Sequence, residues 1–287
     1  MQYRTFGQTG MTLSAVGIGG LIAHYWEGAA GVPSPDQKQR VYRHAAEAGI
    51  NLFDTGYGDE AHLPDELRGP GDDRYFALKS GARAPADIQA TVEKNLTHLR
   101  RDAIDILRVH HNHYTQDQRI PETIDALKQA GKVRALCLIR HFEEDQDAYA
   151  AHGPIEGADA DLVIYNYVHR TQTPGIERSA KAGTGVLAMK ALGGQYASWD
   201  HKLKTDWTAT TERTLMELSP VIAESLEDEL SFIYAFTAGP WHELTQPPGP
   251  TASTTRATAW ILQNQHIDSV LVGVASIDEL DAVLEAV

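Results

Sequence analysis

Four residues in the first 110 positions carry side chains suited to proton transfer: Asp54, Tyr57, Lys79 and His110. Asp54 and Tyr57 stand in the stretch NLFDTGYGDE, where a short apolar run ends among glycines. A phenol has a reference pKa near 10, and a nearby ammonium stabilises the phenolate, so proton transfer becomes possible near neutral pH. An aspartate beside the lysine keeps the ammonium charged and oriented, and a neutral imidazole can donate to a substrate oxygen. Together these residue types indicate a proton-transfer site.

The elements that must position these residues are eight short β-rich runs that alternate with helical stretches. The runs are apolar on both faces, as strands of a parallel sheet covered by helices are. They span residues 14–20, 50–55, 74–80, 103–111, 132–139, 160–167, 185–192 and 268–276. Proline at the start and glycine at the end, or apolar residues at helical spacing, mark the helices. These helices are predicted at 35–49, 85–100, 121–131, 174–183, 253–265 and 276–287.

Eight strand–helix units within 287 residues predict an α/β fold, a (β/α)₈ TIM barrel that forms one domain over residues 1–287. A doubly wound open sheet is the alternative, but GIGGLIAHYWEG after the first run lacks the GxGxxG order of a phosphate-binding turn. Before the first barrel strand, YRTF-GQTG-MTLS reads as a β-hairpin. We expect this hairpin to cap the bottom of the barrel.

The polar residues at the strand ends should meet on one rim, because active sites of such barrels lie where strands end and loops begin. A single lysine or aspartate at a strand end is often a solvent-exposed side chain without a functional role. Many polar residues that converge on one rim instead indicate a shared site. A metal site built from HHNHY (110–114) with a further histidine is a weaker alternative, since adjacent strand residues face opposite sides. The converging residues are His24, Asp54, Tyr57, Lys79, His110, His111, Arg140, His141, Tyr165, Asn166 and Lys190.

In these segments the chain resembles the aldo-keto reductase family. The resemblance follows the order of the family's elements and covers nearly the whole chain, apart from roughly residues 193–250. Its parts are MQYRTFGQTGMTLSAVGIGG, AAEAGINLFDT, RYFALKSG, TVEKNLTHLRRDAIDILRVHH, ETIDALKQAGKVRAL, YNY, GVLAMKALGG and HIDSVLVGVASIDELDAVL.

The resemblance implies an oxidoreductase that reduces or oxidises a carbonyl or alcohol substrate with NADP or NAD. By this resemblance Tyr57 would donate a proton to the carbonyl oxygen. Lys79, salt-bridged to Asp54, would lower the pKa of the tyrosine, and His110 would donate a hydrogen bond to the carbonyl. Tyr57 follows Asp54 by three residues, whereas the family's tyrosine usually follows by five. The loop that carries the phenol has therefore been rebuilt.

The residues expected to contact the cofactor lie in the second half of the chain. Ile139, Arg140 and His141 stand where the family usually has Ser–Asn. Ser276, with Glu279 three residues later, predicts a capped helix whose N-terminus suits a pyrophosphate. Acidic residues follow it, and the basic residue expected for the 2′-phosphate of NADP is absent from GVASIDELDA. The full set of expected cofactor residues is Arg140, His141, Asn166, Lys190, Gly273 and Ser276.

Because these contacts depart from the family pattern, a second class of function stays open. In it the barrel has changed or lost the redox step and acts as a lyase, an isomerase or a non-catalytic binding protein. Asp54, Lys79 and His110 favour an active site of some kind. Nicotinamide binding would discriminate between the two classes.

Composition limits the partners. The formal net charge is −14, so nucleic acid and anionic lipid are not expected partners. No apolar run reaches the roughly 18 residues of a membrane span, and MQYRTFGQTGMTL lacks the apolar region of a secretory signal. The single cysteine, Cys137, lies in an apolar run and is expected to be buried. We expect a cytoplasmic protein that acts on a small molecule.

Overall fold

Eight parallel strands close into a barrel, and a separate two-stranded hairpin precedes them. The computed structural model describes residues 1–20, 33–56, 58–71, 73–166, 169–191, 253–274 and 276–287. The hairpin consists of β1 (Tyr3–Phe6) and β2 (Met11–Ser14). The barrel strands are β3 (Val16–Ile18), β4 (Leu52–Thr55), β5 (Tyr75–Ser80), β6 (Ile104–His110), β7 (Val133–Arg140), β8 (Ala160–Ile164), β9 (Gly185–Met189) and β10 (Ser269–Val272).

Each barrel strand pairs with the next one along the chain, and β10 closes the ring against β3. The predicted (β/α)₈ barrel is confirmed, and the open doubly wound sheet is excluded. Each of the eight predicted runs contains one barrel strand. Tyr57 and His24, which the sequence placed at the rim, lie outside the described residues, as does the stretch 193–250.

Helices cover the outside of the barrel. They are α1 (Pro35–Glu47), α2 (Pro85–Leu99), α3 (His111–Gln116), α4 (Arg119–Gln129), α5 (Glu143–His152), α6 (Thr173–Ala182), α7 (Ser253–Leu262) and α8 (Ile277–Leu284). The sequence did not predict α3 or α5. α3 has only six residues and follows β6 directly. α5 buries Asp145 and Gln146 beside Tyr149, so it lacks an apolar stripe.

The hairpin caps the bottom of the barrel, as predicted. Phe6, Met11 and Leu13 are fully buried and belong to the same apolar cluster as the inward-facing side chains of the strands. A Cβ atom on Gly185 would lie 2.5 Å from the Phe6 ring, so glycine is needed where β9 begins. The hairpin therefore closes the end of the barrel opposite to the strand ends that carry Asp54, Lys79 and His110.

None of the described helices combines the length and the apolar character that a membrane crossing needs. Cys137 is buried in the barrel interior, as expected.

Candidate active site

A buried ion pair lies beneath the mouth of the barrel. Asp54, on β4, accepts a hydrogen bond from the guanidinium of Arg108, on β6, and the two residues are 2% and 1% exposed. Burial raises the pKa of Asp54 to about 6, and the positive charges of Arg108 and Lys79 oppose that rise. Asp54 is therefore ionised at neutral pH and held by a fixed cation.

Lys79 joins these two residues from the strand between them. β5 pairs with β4 and β6, and Lys79 is the register partner of Arg108. Lys79 lies close enough to lower the pKa values of both Asp54 and His110. The structure thus brings Asp54, Lys79 and His110 together, with Arg108 as a fourth member.

The loop after β4 is folded tightly against β5. Gly56 has a φ of +94°, and a Cβ atom there would lie 2.3 Å from the carbonyl oxygen of Lys79. Only glycine fits this approach. The carboxylate of Glu60 accepts hydrogen bonds from the backbone N–H groups of Gly56 (3.1 Å) and Gly58 (2.9 Å). The turn of the sequence GYGDE, in which Tyr57 stands, is therefore shaped by Gly56, Gly58 and Glu60.

His110 ends β6 and faces the mouth with 8% exposure. The pKa of His110 is lowered to about 4, chiefly by burial and in addition by the nearby charges of Lys79 and His113. The ring is therefore neutral at physiological pH. Its Nδ1 is shielded and has no hydrogen-bond partner in the described part of the chain, which leaves Nε2 as the nitrogen that can reach a substrate.

Three rings surround His110. The ring centroid of His110 lies 5.3 Å from that of His113, 6.1 Å from that of His141 and 5.1 Å from that of Phe142. Burial lowers the pKa of His141 well below its usual value, and Lys190, His110 and Lys79 add to the effect. His141 is therefore a neutral imidazole that lies between the His110 site and Lys190.

Lys190 follows β9 and has a φ of +59°, a left-handed conformation that is uncommon for a residue with a side chain. Its carbonyl accepts a hydrogen bond of 3.0 Å from the amide of Asn166, whose Oδ1 accepts from the backbone of His169. Asn166 is fully buried. Asn166 thus connects the loop after β8 to the loop after β9 through these hydrogen bonds.

Arg140 is not brought to this group. It points outward from β7, where its Nε donates to Asp161 at 2.7 Å and its guanidinium lies 5.2 Å from the ring centroid of Tyr149 on α5. Arg140 is 1% exposed, so its head group is enclosed between the barrel and the helices. Its neighbour along the chain, His141, faces the mouth, as strand alternation requires.

His111 also turns away from His110. Its Nδ1 lies 2.8 Å from the buried carboxylate of Asp145, at the start of α5. Within the described residues, no group of three or more histidine, cysteine, aspartate or glutamate side chains is arranged to hold a metal ion.

Gly273 and Ser276 lie at the end of β10 and the start of α8. A Cβ atom on Gly273 would lie 3.1 Å from the carbonyl oxygen of Gly20, so the two strand ends approach backbone to backbone. The hydroxyl of Ser276 accepts a 3.2 Å hydrogen bond from the backbone of Glu279 and caps α8, as the sequence predicted.

Three residues of this region were missed by the sequence analysis: Arg108, His113 and Phe142. Strand alternation from His110 places Arg108 on the inward face, and a charged residue inside a barrel needs a partner. That signal was available in IDILRVH. His113 and Phe142 approach His110 only because α3 and the loop after β7 fold over the same side of the mouth.

Aldo-keto reductases are among the solved structures that share this fold. A putative aldo-keto reductase from Pseudomonas aeruginosa aligns with a TM-score of 0.64 and 19% identity, over 99% of this chain and 94% of that one. The apo form of aldo-keto reductase AKR11C1 from Bacillus halodurans aligns with a TM-score of 0.66 and 19% identity, over 100% and 90% of the two chains. At 19% identity these two structures show that the chain shares their fold, and they show nothing about its activity.

Sequence comparison carries the family assignment. L-galactose dehydrogenase of Arabidopsis thaliana is 30% identical over a match that covers 47% of this chain and 47% of that protein, so the match spans about half of this curated relative. The model of the aldo/keto reductase family matches residues 78–287. The chain therefore belongs to the aldo/keto reductase family, whose members are NAD(P)-dependent oxidoreductases.

Proposed function

We propose that this protein transfers a hydride between a nicotinamide cofactor and a carbonyl or alcohol substrate at the mouth of its barrel. The observation that carries the proposal is the neutral ring of His110 beside Lys79, above the buried pair of Asp54 and Arg108. A sugar substrate is in keeping with the relative that is named L-galactose dehydrogenase.

Each side chain has a distinct role in this proposal. When bound, the nicotinamide supplies the hydride that no side chain of the protein can supply. The carbonyl oxygen gains negative charge as its carbon becomes reduced, and Nε2–H of His110 stabilises that charge by a hydrogen bond. Tyr57 donates the proton that converts the oxygen to a hydroxyl, and the ammonium of Lys79 favours the phenolate that remains. Asp54 and Arg108 form a buried ion pair that positions the ammonium of Lys79.

The residues near β9, β10 and α8 suit a dinucleotide. Lys190 provides a cation beside His141, close to the site of hydride transfer. Gly273 is exposed at the strand end, and α8 is capped three residues later by Ser276. We assign Lys190, Gly273 and Ser276 to the cofactor, His141 to the ring of the nicotinamide, and Asn166 to the support of Lys190. Arg140 has no part in this assignment, because its guanidinium is enclosed on the outer face of β7.

The function is tested by mixing the purified protein with NADH or NADPH and an aldose or simple aldehyde, and by following nicotinamide absorbance. We expect the absorbance to fall with the wild type. Substitution of Lys79 by methionine should slow this loss at least about 100-fold, because the phenolate loses its cation. If neither cofactor binds and no substrate is reduced, the alternative of a barrel without redox activity is correct.

The protein should bind NADP no more than about tenfold more tightly than NAD. The reason is charge: Asp278 and Glu279 lie in the first turn of α8, and no lysine or arginine occurs in residues 273–287. Titration of nicotinamide fluorescence measures both dissociation constants. Glu279→Lys should shift the preference toward NADP, whereas Glu285→Lys, at the far end of the helix, should leave it unchanged. A wild-type preference for NADP of about a hundredfold would contradict the prediction.

A further inference from the structure

A cavity of about 320 Å³ lies beside His110, between the loops that follow β5, β6 and β7. Phe142 forms part of its wall and also contacts His110, with 5.1 Å between the ring centroids. The ring of His113, which also lines the cavity, lies 5.3 Å from that of His110 between centroids, so the cavity adjoins the proposed hydrogen-bond donor. Its lining residues are Arg83, Asn112, His113, Gln116, Asp117 and Phe142.

The lining contains two charged side chains, Asp117 and Arg83, and only Asp117 forms an ion pair within the described part of the chain. Both carboxylate oxygens of Asp117 are held by Arg119, at 2.9 and 2.6 Å, and a backbone N–H donates to one of them at 3.0 Å. Arg83 is exposed and forms no ion pair with any residue that the structure describes. Among the described residues that line the cavity, Arg83 is thus the charged group without an ion-pair partner.

The histidine next to Arg83 does not add to that charge. Burial lowers the pKa of His113, and the nearby charge of Arg83 lowers it further, so the ring is neutral at physiological pH. His113, Asn112 and Gln116 offer uncharged hydrogen-bonding groups around the guanidinium. The positive charge of this cavity contrasts with the formal net charge of the chain, which is −14.

We propose that this cavity binds an anionic oxygen group, a carboxylate or a phosphate, at the far end of the substrate, with Arg83 as the residue that recognises it. The proposal rests on the proposed function, since it places the reacting carbonyl at His110 and the anion on the opposite side of Phe142. A guanidinium suits this role because its planar fork donates two parallel hydrogen bonds to a carboxylate or phosphate. The substrate class is therefore acidic carbonyl compounds, such as sugar acids or sugar phosphates.

The test compares three substrates that share one carbon skeleton: a neutral aldose, its uronic acid and its 6-phosphate. We expect the wild type to show a kcat/KM at least about tenfold higher for one of the two anionic forms than for the aldose. Whichever form is favoured identifies the anion. The advantage should decrease with added salt, because Arg83 is exposed.

Arg83→Met should remove this advantage and leave kcat/KM for the neutral aldose within about twofold. Arg83→Lys should retain part of it, because the charge remains while the planar fork is lost. Arg100→Met is the matched control, since Arg100 is an exposed arginine that pairs with Asp65 on another part of the surface. The inference is overturned if the wild type does not prefer either anionic form, or if the preference survives in Arg83→Met.

Calorimetric titration with the uronic acid and with the 6-phosphate, without cofactor, separates the two proposals. Binding that is lost in Arg83→Met and kept in Arg100→Met supports the anion site even if no substrate turns over. Turnover of the neutral aldose, together with no binding of either anionic form or with binding that Arg83→Met leaves unchanged, supports the redox function alone and overturns the anion site.

Discussion

Substitution of Arg108 by methionine should lower the free energy of unfolding by about 3–5 kcal/mol, the usual cost of removing one partner of a buried ion pair. The physical reason is that Asp54, 2% exposed, would lose its hydrogen-bonded cation inside the barrel and keep only the charge of Lys79 nearby. Urea denaturation at pH 8 measures the loss. Adding Asp54→Leu to the Arg108→Met variant should recover most of it, because the remaining charge is then removed as well.

The pH dependence of this loss has a definite sign. The pKa of Asp54 is raised in the folded protein to about 6, from a usual value of 3.8, and Arg108 opposes the rise. Without Arg108 the folded-state pKa of Asp54 is higher still, so the variant loses further stability as pH rises through and above 6. The destabilisation should therefore be smaller at pH 5 than at pH 8. A destabilisation under about 1 kcal/mol at pH 8 would mean that the pair contributes no more than a surface salt bridge.

Substitution of His110 by glutamine or alanine should reduce turnover at least about 100-fold while the protein folds normally. The neutral ring is the hydrogen-bond donor of the proposed site, and its pKa of about 4 keeps it neutral throughout the physiological range. Steady-state kinetics and thermal denaturation should be measured on the same preparations. His152→Gln, an exposed substitution at the end of α5, is the matched control and should leave both unchanged.

Two results would contradict this role for His110. A lowered melting temperature with full activity in the folded fraction would make the residue structural. If Tyr57→Phe costs more turnover than His110→Gln, the rebuilt loop has preserved a phenol as the dominant group. The backbone N–H groups of Gly56 and Gly58 both donate to the carboxylate of Glu60, so hydrogen bonds within the loop hold its backbone in place.

Much of the fold was determined by local sequence alone. Apolar strand runs, proline and glycine at helix ends, and their order predicted the barrel, its hairpin and the capped start of α8 at Ser276. Such signals are local, since side-chain periodicity and capping depend on neighbours within a few residues. The same reasoning placed Asp54, Lys79 and His110 at one rim, because parallel strands deliver their ends to the same side of a barrel.

The tertiary structure decided which charged side chains pair with each other. Lys79 was the partner expected for Asp54, and its charge does act on that carboxylate. The tertiary structure adds Arg108, which the sequence analysis did not name and whose guanidinium reaches across from β6 to donate to Asp54. Arg140 ends a strand as expected, yet the alternation of β7 turns it outward to Asp161. The cavity beside Phe142 depends on three loops that are distant in sequence. Register, strand alternation and loop closure set these contacts, and each depends on long-range packing that no single stretch of sequence contains.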